Sequence, residues 1–216
     1  MIAHFNVEQQ TEEWFRLKWA KVGGTRAKQL LVKSDTLLIE LLAEITEPFD
    51  MDFEGYTSDD MQRGIELEPL ARKAASEYIG KNLIECGWLE SEENPLFGIS
   101  VDGITADFKT TAEIKCPAAK KHLATCLSDE IPLDNIDQSI HYFTVNEHCE
   151  EHYFISFRPE SVKPLFVKRL TRQSDVNIGT KTKPVWVTVQ SAVEKSKAAE
   201  VELKKEITKS INKLKF

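Results

Sequence analysis

The chain has 216 residues, 41% of them hydrophobic and 29% charged, with a net charge of −7. That composition describes an ordinary soluble globular protein. The longest apolar runs are broken by charges far short of a membrane span, and the net charge argues against a protein that simply coats DNA. The N-terminus lacks the basic-then-apolar layout of a secretion signal, so a cytosolic protein is expected. In chain order, Thr11 with Glu12 and Glu13 reads as a helix start that presents Trp14, Leu17 and Trp19 before Gly23 and Gly24 end it. Ser34 and Asp35 cap a second helix with Leu38, Leu41, Leu42 and Ile45 as its apolar stripe, closed by Pro48. Residues 49–57 read as a loop. Ser58 and Asp59 open a longer helix reaching Tyr78, with Met61, Ile65, Ala71, Ala74, Ala75 and Tyr78 inward.

Strands are expected at 83–89, 96–100, 111–116, 152–157 and 162–170, and helices at 120–127 and 135–145, the latter with Ile136, Ile140 and Phe143 inward. A loop follows around Asn177 and Gly179. From Ser191 onward, Ala199, Leu203, Ile207 and Ile211 stand four apart, giving a charged amphipathic helix that packs on the body. This order fits an α/β (α+β) fold with a central mixed β-sheet flanked by helices. We read residues 1–216 as a single domain, with an N-terminal helical part (about 1–57) and a C-terminal helix (about 191–216). The four cysteines form no Cys-x-x-Cys pair and read as free thiols. His148 and His152 are helically spaced but have no obvious third ligand for zinc.

Chemistry concentrates in residues 98–117. Asp102 is read at the end of one extended segment, with Gly103 turning the chain. In the next segment, period-two alternation sets Glu113 and Lys115 on one face and Ala112, Ile114 and Cys116 toward a core. Residues two apart on a strand are separated by roughly 7 Å, so a carboxylate and an ammonium can serve one reacting centre. Asp102, Glu113 and the Ile114 backbone carbonyl are hard oxygen donors suited to Mg²⁺, and Lys115 can orient water and offset charge on a phosphate. Glu68 lies near the inward stripe of its helix; the same spacing equally allows an exposed Glu68–Arg72 pair at i,i+4. Local basic excesses occur at Lys18, Lys21, Arg26, Lys28 and Lys33, and at Lys115, Lys120 and Lys121.

An acidic residue followed by Glu-x-Lys on a strand resembles the PD-(D/E)xK metal-dependent nucleases. Taken with Trp14, Lys18 and Gly23-Gly24-Thr25, then Gly64, Glu68 and Ala71-Arg72, then Ser100-Val101-Asp102-Gly103, then Glu113-Ile114-Lys115-Cys116-Pro117, the chain resembles the lambda-exonuclease family, the YqaJ-type viral recombinases. Three positions depart from that pattern. Val101 replaces a Pro, Lys18 stands where Arg is usual, and Ile140 replaces the second Gln of a Gln-x-Gln pair that begins at Gln138.

The resemblance implies a restriction-endonuclease-like core and a Mg²⁺-dependent 5′→3′ exonuclease, with Mn²⁺ as a substitute. Two ions would sit at Asp102, Glu113, the Ile114 carbonyl and Glu68, with Lys115 completing the catalytic set. It implies a 5′-phosphate pocket from Lys18, Thr25, Ser100 and Lys121, with Gln138 as a substrate contact. It implies linear duplex DNA as substrate, a homotrimer, a single-strand annealing protein as partner, no membrane, and a cytoplasmic setting in bacteria or phage infection. The alternatives are an endonuclease of restriction or repair type and a catalytically inactive DNA-end-binding scaffold. Unclustered cysteines weigh against an iron–sulfur nuclease.

Overall fold

The computed structural model describes residues 1–49 and 59–214. Apart from Phe49, the loop read at 49–57 lies outside the described residues, as do the Ser58 cap and the Met61 side chain. Among the described residues a six-stranded sheet runs in the order β1-β2-β3-β4-β5-β6, and β7 and β8 form a separate pair. The strands are β1 (Ile2–His4), β2 (Ile84–Glu90), β3 (Gly98–Ile104), β4 (Thr110–Lys115), β5 (Glu151–Phe157), β6 (Leu165–Thr171), β7 (Asp175–Asn177) and β8 (Trp186–Thr188). Every neighbour is antiparallel except β4 and β5, which are parallel, so the sheet is mixed. That one parallel pair needs a crossover, supplied by α5 (Ala119–Ser128) and α6 (Leu133–Val145). The remaining helices are α1 (Glu12–Lys18), α2 (Ala27–Leu31), α3 (Asp35–Thr46), α4 (Asp59–Ile79) and α7 (Val189–Leu214).

Local chemistry explains the helix starts. The Thr11 hydroxyl accepts from the Trp14 N–H at 3.3 Å, and Glu12 and Glu13 follow in the first turn, where acids meet the positive end of the helix dipole. α3 buries Leu37, Leu41 and Leu42. Ile45, expected inward, is exposed, while Leu37, Leu41 and Leu42 enter the cluster on which α7 packs. On α4, Ala71 and Ala75 are buried against the sheet with Leu67 and Ala74 beside them. Ile65 (50% exposed) and Tyr78 (70% exposed) are corrections to the inward list: they lie off the alanine stripe, and small alanines are what let α4 approach the sheet.

The sheet sits between two layers. Ala112 and Ile114 pack under α4 with Ile155 and Phe157. On the other side, Ile140 and Phe143 of α6 pack with Phe154, Phe166, Val189 and Val193. α7 lays Ala199, Leu203, Ile207 and Ile211 on the cluster built from α2, α3, β2 and β3, as their fourfold spacing indicates. It begins at Val189, two residues before the expected start. The β1 strand and the β7–β8 hairpin were not anticipated: each strand has only three residues, too few for an alternation pattern.

Residue 102 does not end a strand. β3 continues to Ile104, and Gly103 is extended opposite Ala112. A Cβ on Gly103 would come within 3.2 Å of Leu83 and 3.3 Å of Ala112; the glycine serves close packing rather than a turn. The reversal falls at residues 105–109, where Phe108 takes φ 61°.

Candidate active site

The registered pairs of β3 and β4 run only as far as Gly103 with Ala112. Beyond that point the Asp102 carboxylate takes the Ile114 N–H at 2.8 Å. A side chain thus occupies a place where a ladder partner would stand, and Asp102 is fixed beside Glu113 and Lys115. Glu113 is only 1% exposed. The strand face it shares with Thr111 is not solvent but the underside of α6: Tyr142 Oη donates to Glu113 Oε2 at 2.5 Å, and Lys115 Nζ pairs with Glu113 Oε1.

Glu68 approaches from α4. Its carboxylate pairs with Arg72 at 2.6 Å, and Arg72 also reaches Glu85 at 3.0 Å and donates Nε–H to the Asp102 carbonyl. The inward reading and the i,i+4 pair therefore coexist, since Arg72 is itself half-buried. Glu66 points elsewhere, exposed, and accepts from Gln62.

Electrostatics record the crowding of acids. Burial raises the Asp102 pKa well above the carboxylate range, and the Glu113 and Glu68 charges raise it further. Glu68 is raised by burial against the opposing Arg72 charge, with Glu85 and Glu113 adding. Burial alone would lower the Lys115 ammonium, but the Glu113 and Asp102 charges outweigh it and hold it above its ordinary value. Carboxylates that raise one another are a demand for positive charge. The donor set, all oxygen, suits a hard divalent cation. Among the described residues no three His, Cys, Asp or Glu side chains already converge as a cage. A cation would compete with Arg72 and Lys115 for the same oxygens.

All ten positions singled out in the sequence line one cavity of about 1120 Å³: Lys18, Thr25, Glu68, Ser100, Asp102, Glu113, Ile114, Lys115, Lys121 and Gln138. The N-terminal segment forms its far wall because His141, on α6, donates Nε2–H to the carbonyls of Val22 (3.0 Å) and Gly98 (3.1 Å). Gly24 is required there: a Cβ would meet the Gln138 side chain at 2.9 Å. Lys18 Nζ lies 3.5 Å from the Trp14 ring centroid, and the Trp14 indole N–H reaches Ser100 Oγ at 2.9 Å. Trp14 thus ties Lys18 and Ser100 together. Lys121 lies on exposed α5 at the cavity wall.

Tyr142 was missed by sequence reasoning, although it lies one helical turn past Gln138 and so shares its face. Its ring stacks on His152 with centroids 4.4 Å apart, which places His152 in the core rather than at a metal. Burial lowers His152 to about 3, so it is neutral. The four cysteines are free thiols. We expect Tyr142→Phe to lower stability by about 1–3 kcal/mol, the cost of leaving a buried acceptor unpaired. A thermal midpoint equal to wild type would remove Tyr142 from the support of Glu113.

Residues 13–148, more than half of the chain, match the YqaJ-like viral recombinase domain. The chain belongs to that family. It is the lambda-exonuclease branch of the PD-(D/E)xK nucleases, and with that membership the chain is a nuclease. The family fold is also seen in solved structures. The alkaline exonuclease LHK-Exo from Laribacter hongkongensis superposes with a TM-score of 0.71 at 25% identity, over 94% of this chain and 98% of that one. The same enzyme in complex with dAMP matches equally. A phage-related exonuclease from Haemophilus somnus 129PT, at 13% identity and a TM-score of 0.50 over 88% of this chain and 96% of that one, shares the fold. No curated protein matches the chain. Among the described residues no helix is long and apolar enough to cross a membrane.

If Glu68 serves the acidic site, Glu68→Gln should cripple turnover, whereas Glu66→Gln should leave it near wild type. Steady-state digestion of linear duplex by the two purified variants checks this, and the reverse ranking would mean that α4 presents a different face.

Proposed function

We propose that residues 1–216 act as one nuclease domain, a 5′→3′ exonuclease that digests one strand of linear duplex DNA and leaves a 3′ single strand for annealing recombination. The observation that carries the reading is the single cavity joining the acidic set at Asp102 to the Lys18, Thr25, Ser100 and Lys121 set. The neighbour's complex with dAMP supports a pocket able to take a nucleoside monophosphate.

Asp102, Glu113, Glu68 and the Ile114 carbonyl would hold one or two divalent cations, Mg²⁺ with Mn²⁺ as a substitute, and the metal when bound supplies charge neutralisation and activation of water. Lys115 orients the attacking water and offsets charge developing on the scissile phosphate. Tyr142 fixes the Glu113 rotamer, and Arg72 holds Glu68 and the Asp102 backbone in place. Lys18 and Lys121 supply charge, and Thr25 and Ser100 supply hydroxyl donors, to the 5′-terminal phosphate. The Ser100 hydroxyl accepts from Trp14 and keeps its own proton for the ligand. Gln138 borders the same space and contacts the substrate.

The family resemblance supports a homotrimer, an annealing protein as partner and action in the bacterial cytoplasm. Native mass spectrometry reads the first directly. Polarity is tested with linear duplex labelled at either end of one strand. The 5′ label should leave first, as a mononucleotide. Release of the 3′ label first contradicts the direction.

A further inference from the structure

The β7–β8 hairpin lies beyond the stretch that matches the family, yet it borders the same cavity. Asn177, Lys181, Pro184 and Trp186 line it together with Asp102 and Glu113. The hairpin is anchored at its base, where Val176 is buried in the core with Val187 beside it. Its turn is held by Asn177 Oδ1, which accepts the N–H groups of Gly179 and Val185 at 2.9 Å each, and by Ile178 N–H to the Val185 carbonyl at 2.9 Å. A braced arm of this kind presents its side chains without first having to be ordered.

What it presents is unusual for this chain. Trp186 is 58% exposed, although an indole is among the side chains that gain most from burial. No acidic residue occurs between Ile178 and Gln190, while Lys181 and Lys183 stand at the tip of a chain whose net charge is −7. Among the described residues neither lysine has an ion-pair partner. An exposed aromatic face beside unpaired ammonium groups matches a nucleic-acid strand, which offers a base to stack and phosphates to neutralise.

We propose that the β7–β8 hairpin is a strand-binding element, in which Trp186 stacks on a base of the strand entering the cavity and Lys181 takes one of its phosphates. This deepens the exonuclease reading and rests on it. The cavity, of about 1120 Å³, is the size of a few nucleotides of one strand. At its rim an exposed indole can receive a base that has lost its neighbour.

The test uses 5′-phosphorylated duplex with 2-aminopurine placed singly at each of the first five nucleotides, bound in EDTA so that no strand is cut. Quenching at one or two positions is expected in wild type and in Trp186→Phe, and should be lost in Trp186→Leu. The leucine variant should bind roughly 5- to 150-fold more weakly, the range spanned by base–aromatic stacking. Lys181→Ala should reduce the slope of log affinity against log salt by about one. Circular dichroism and the thermal midpoint of Trp186→Leu should match wild type, because the side chain lies on the surface. Unchanged quenching, affinity and salt slope in these variants, with wild-type digestion intact, overturn the hairpin proposal alone. So does a change in sedimentation on Trp186→Leu with DNA binding unaltered, which would make the hairpin a contact between copies. If wild type does not digest linear duplex at all, the exonuclease reading fails and the proposal falls with it.

Discussion

Alanine at Asp102, Glu113 or Lys115 is expected to abolish hydrolysis of linear duplex DNA and to leave the fold standing. Lys115 is the cleanest of the three. Its side chain is partly exposed, whereas Glu113 is buried and Asp102 also accepts the Ile114 N–H. Removing a group that orients water typically costs roughly 10²- to 10⁴-fold in rate, and removing a metal ligand costs at least as much. Lys115→Ala with a wild-type circular dichroism spectrum but near wild-type digestion would show that the site is misassigned.

The second large effect is a preference for 5′-phosphorylated ends. Linear duplex with 5′-phosphates should be degraded much faster than the same DNA with 5′-hydroxyls. Lys121→Ala should shrink that difference more than it lowers the rate on hydroxyl ends. Lys18 adds a pH signature: burial, with the Arg26 charge behind it, lowers its ammonium to about 8. The charged form that attracts phosphate predominates below that value and is lost as pH rises through it. The ratio of kcat/KM for phosphate over hydroxyl ends, which follows the free enzyme, should therefore fall between pH 7 and 9. Lys18→Arg should keep the ratio flat, because a guanidinium does not titrate there. Equal rates on both ends in wild type contradict the pocket.

The shared faces of Glu113 with Lys115 and of Ser100 with Asp102 were legible because strand alternation is local. Glu113 and Lys115 share a face of β4 by strand alternation, and Ser100 and Asp102 share one of β3, so each pair follows from a period of two. Convergence of Glu68 and Lys18 on the same cavity is a tertiary fact, reached only through the family resemblance. Tyr142 was hidden because a helix buried all round, as α6 is from Ser139 to Val145, has no polar face to show which side meets the site. Gly103 was misread since a glycine needed for packing against Leu83 and Ala112 looks, in sequence, like one needed for a turn. The hairpin escaped because three-residue strands leave no periodicity, even though its Trp186 and Lys181 border the cavity.

The most direct measurement of the central claim is one digestion series on linear and covalently closed circular duplex of the same sequence, each with Mg²⁺ and with EDTA. The account predicts that only linear DNA with Mg²⁺ is consumed, shortening from its 5′ ends and leaving 3′ single strands, while the circle survives. Cleavage of the closed circle would make this an endonuclease, and digestion of linear DNA in EDTA would contradict the role assigned to Asp102, Glu113 and Glu68.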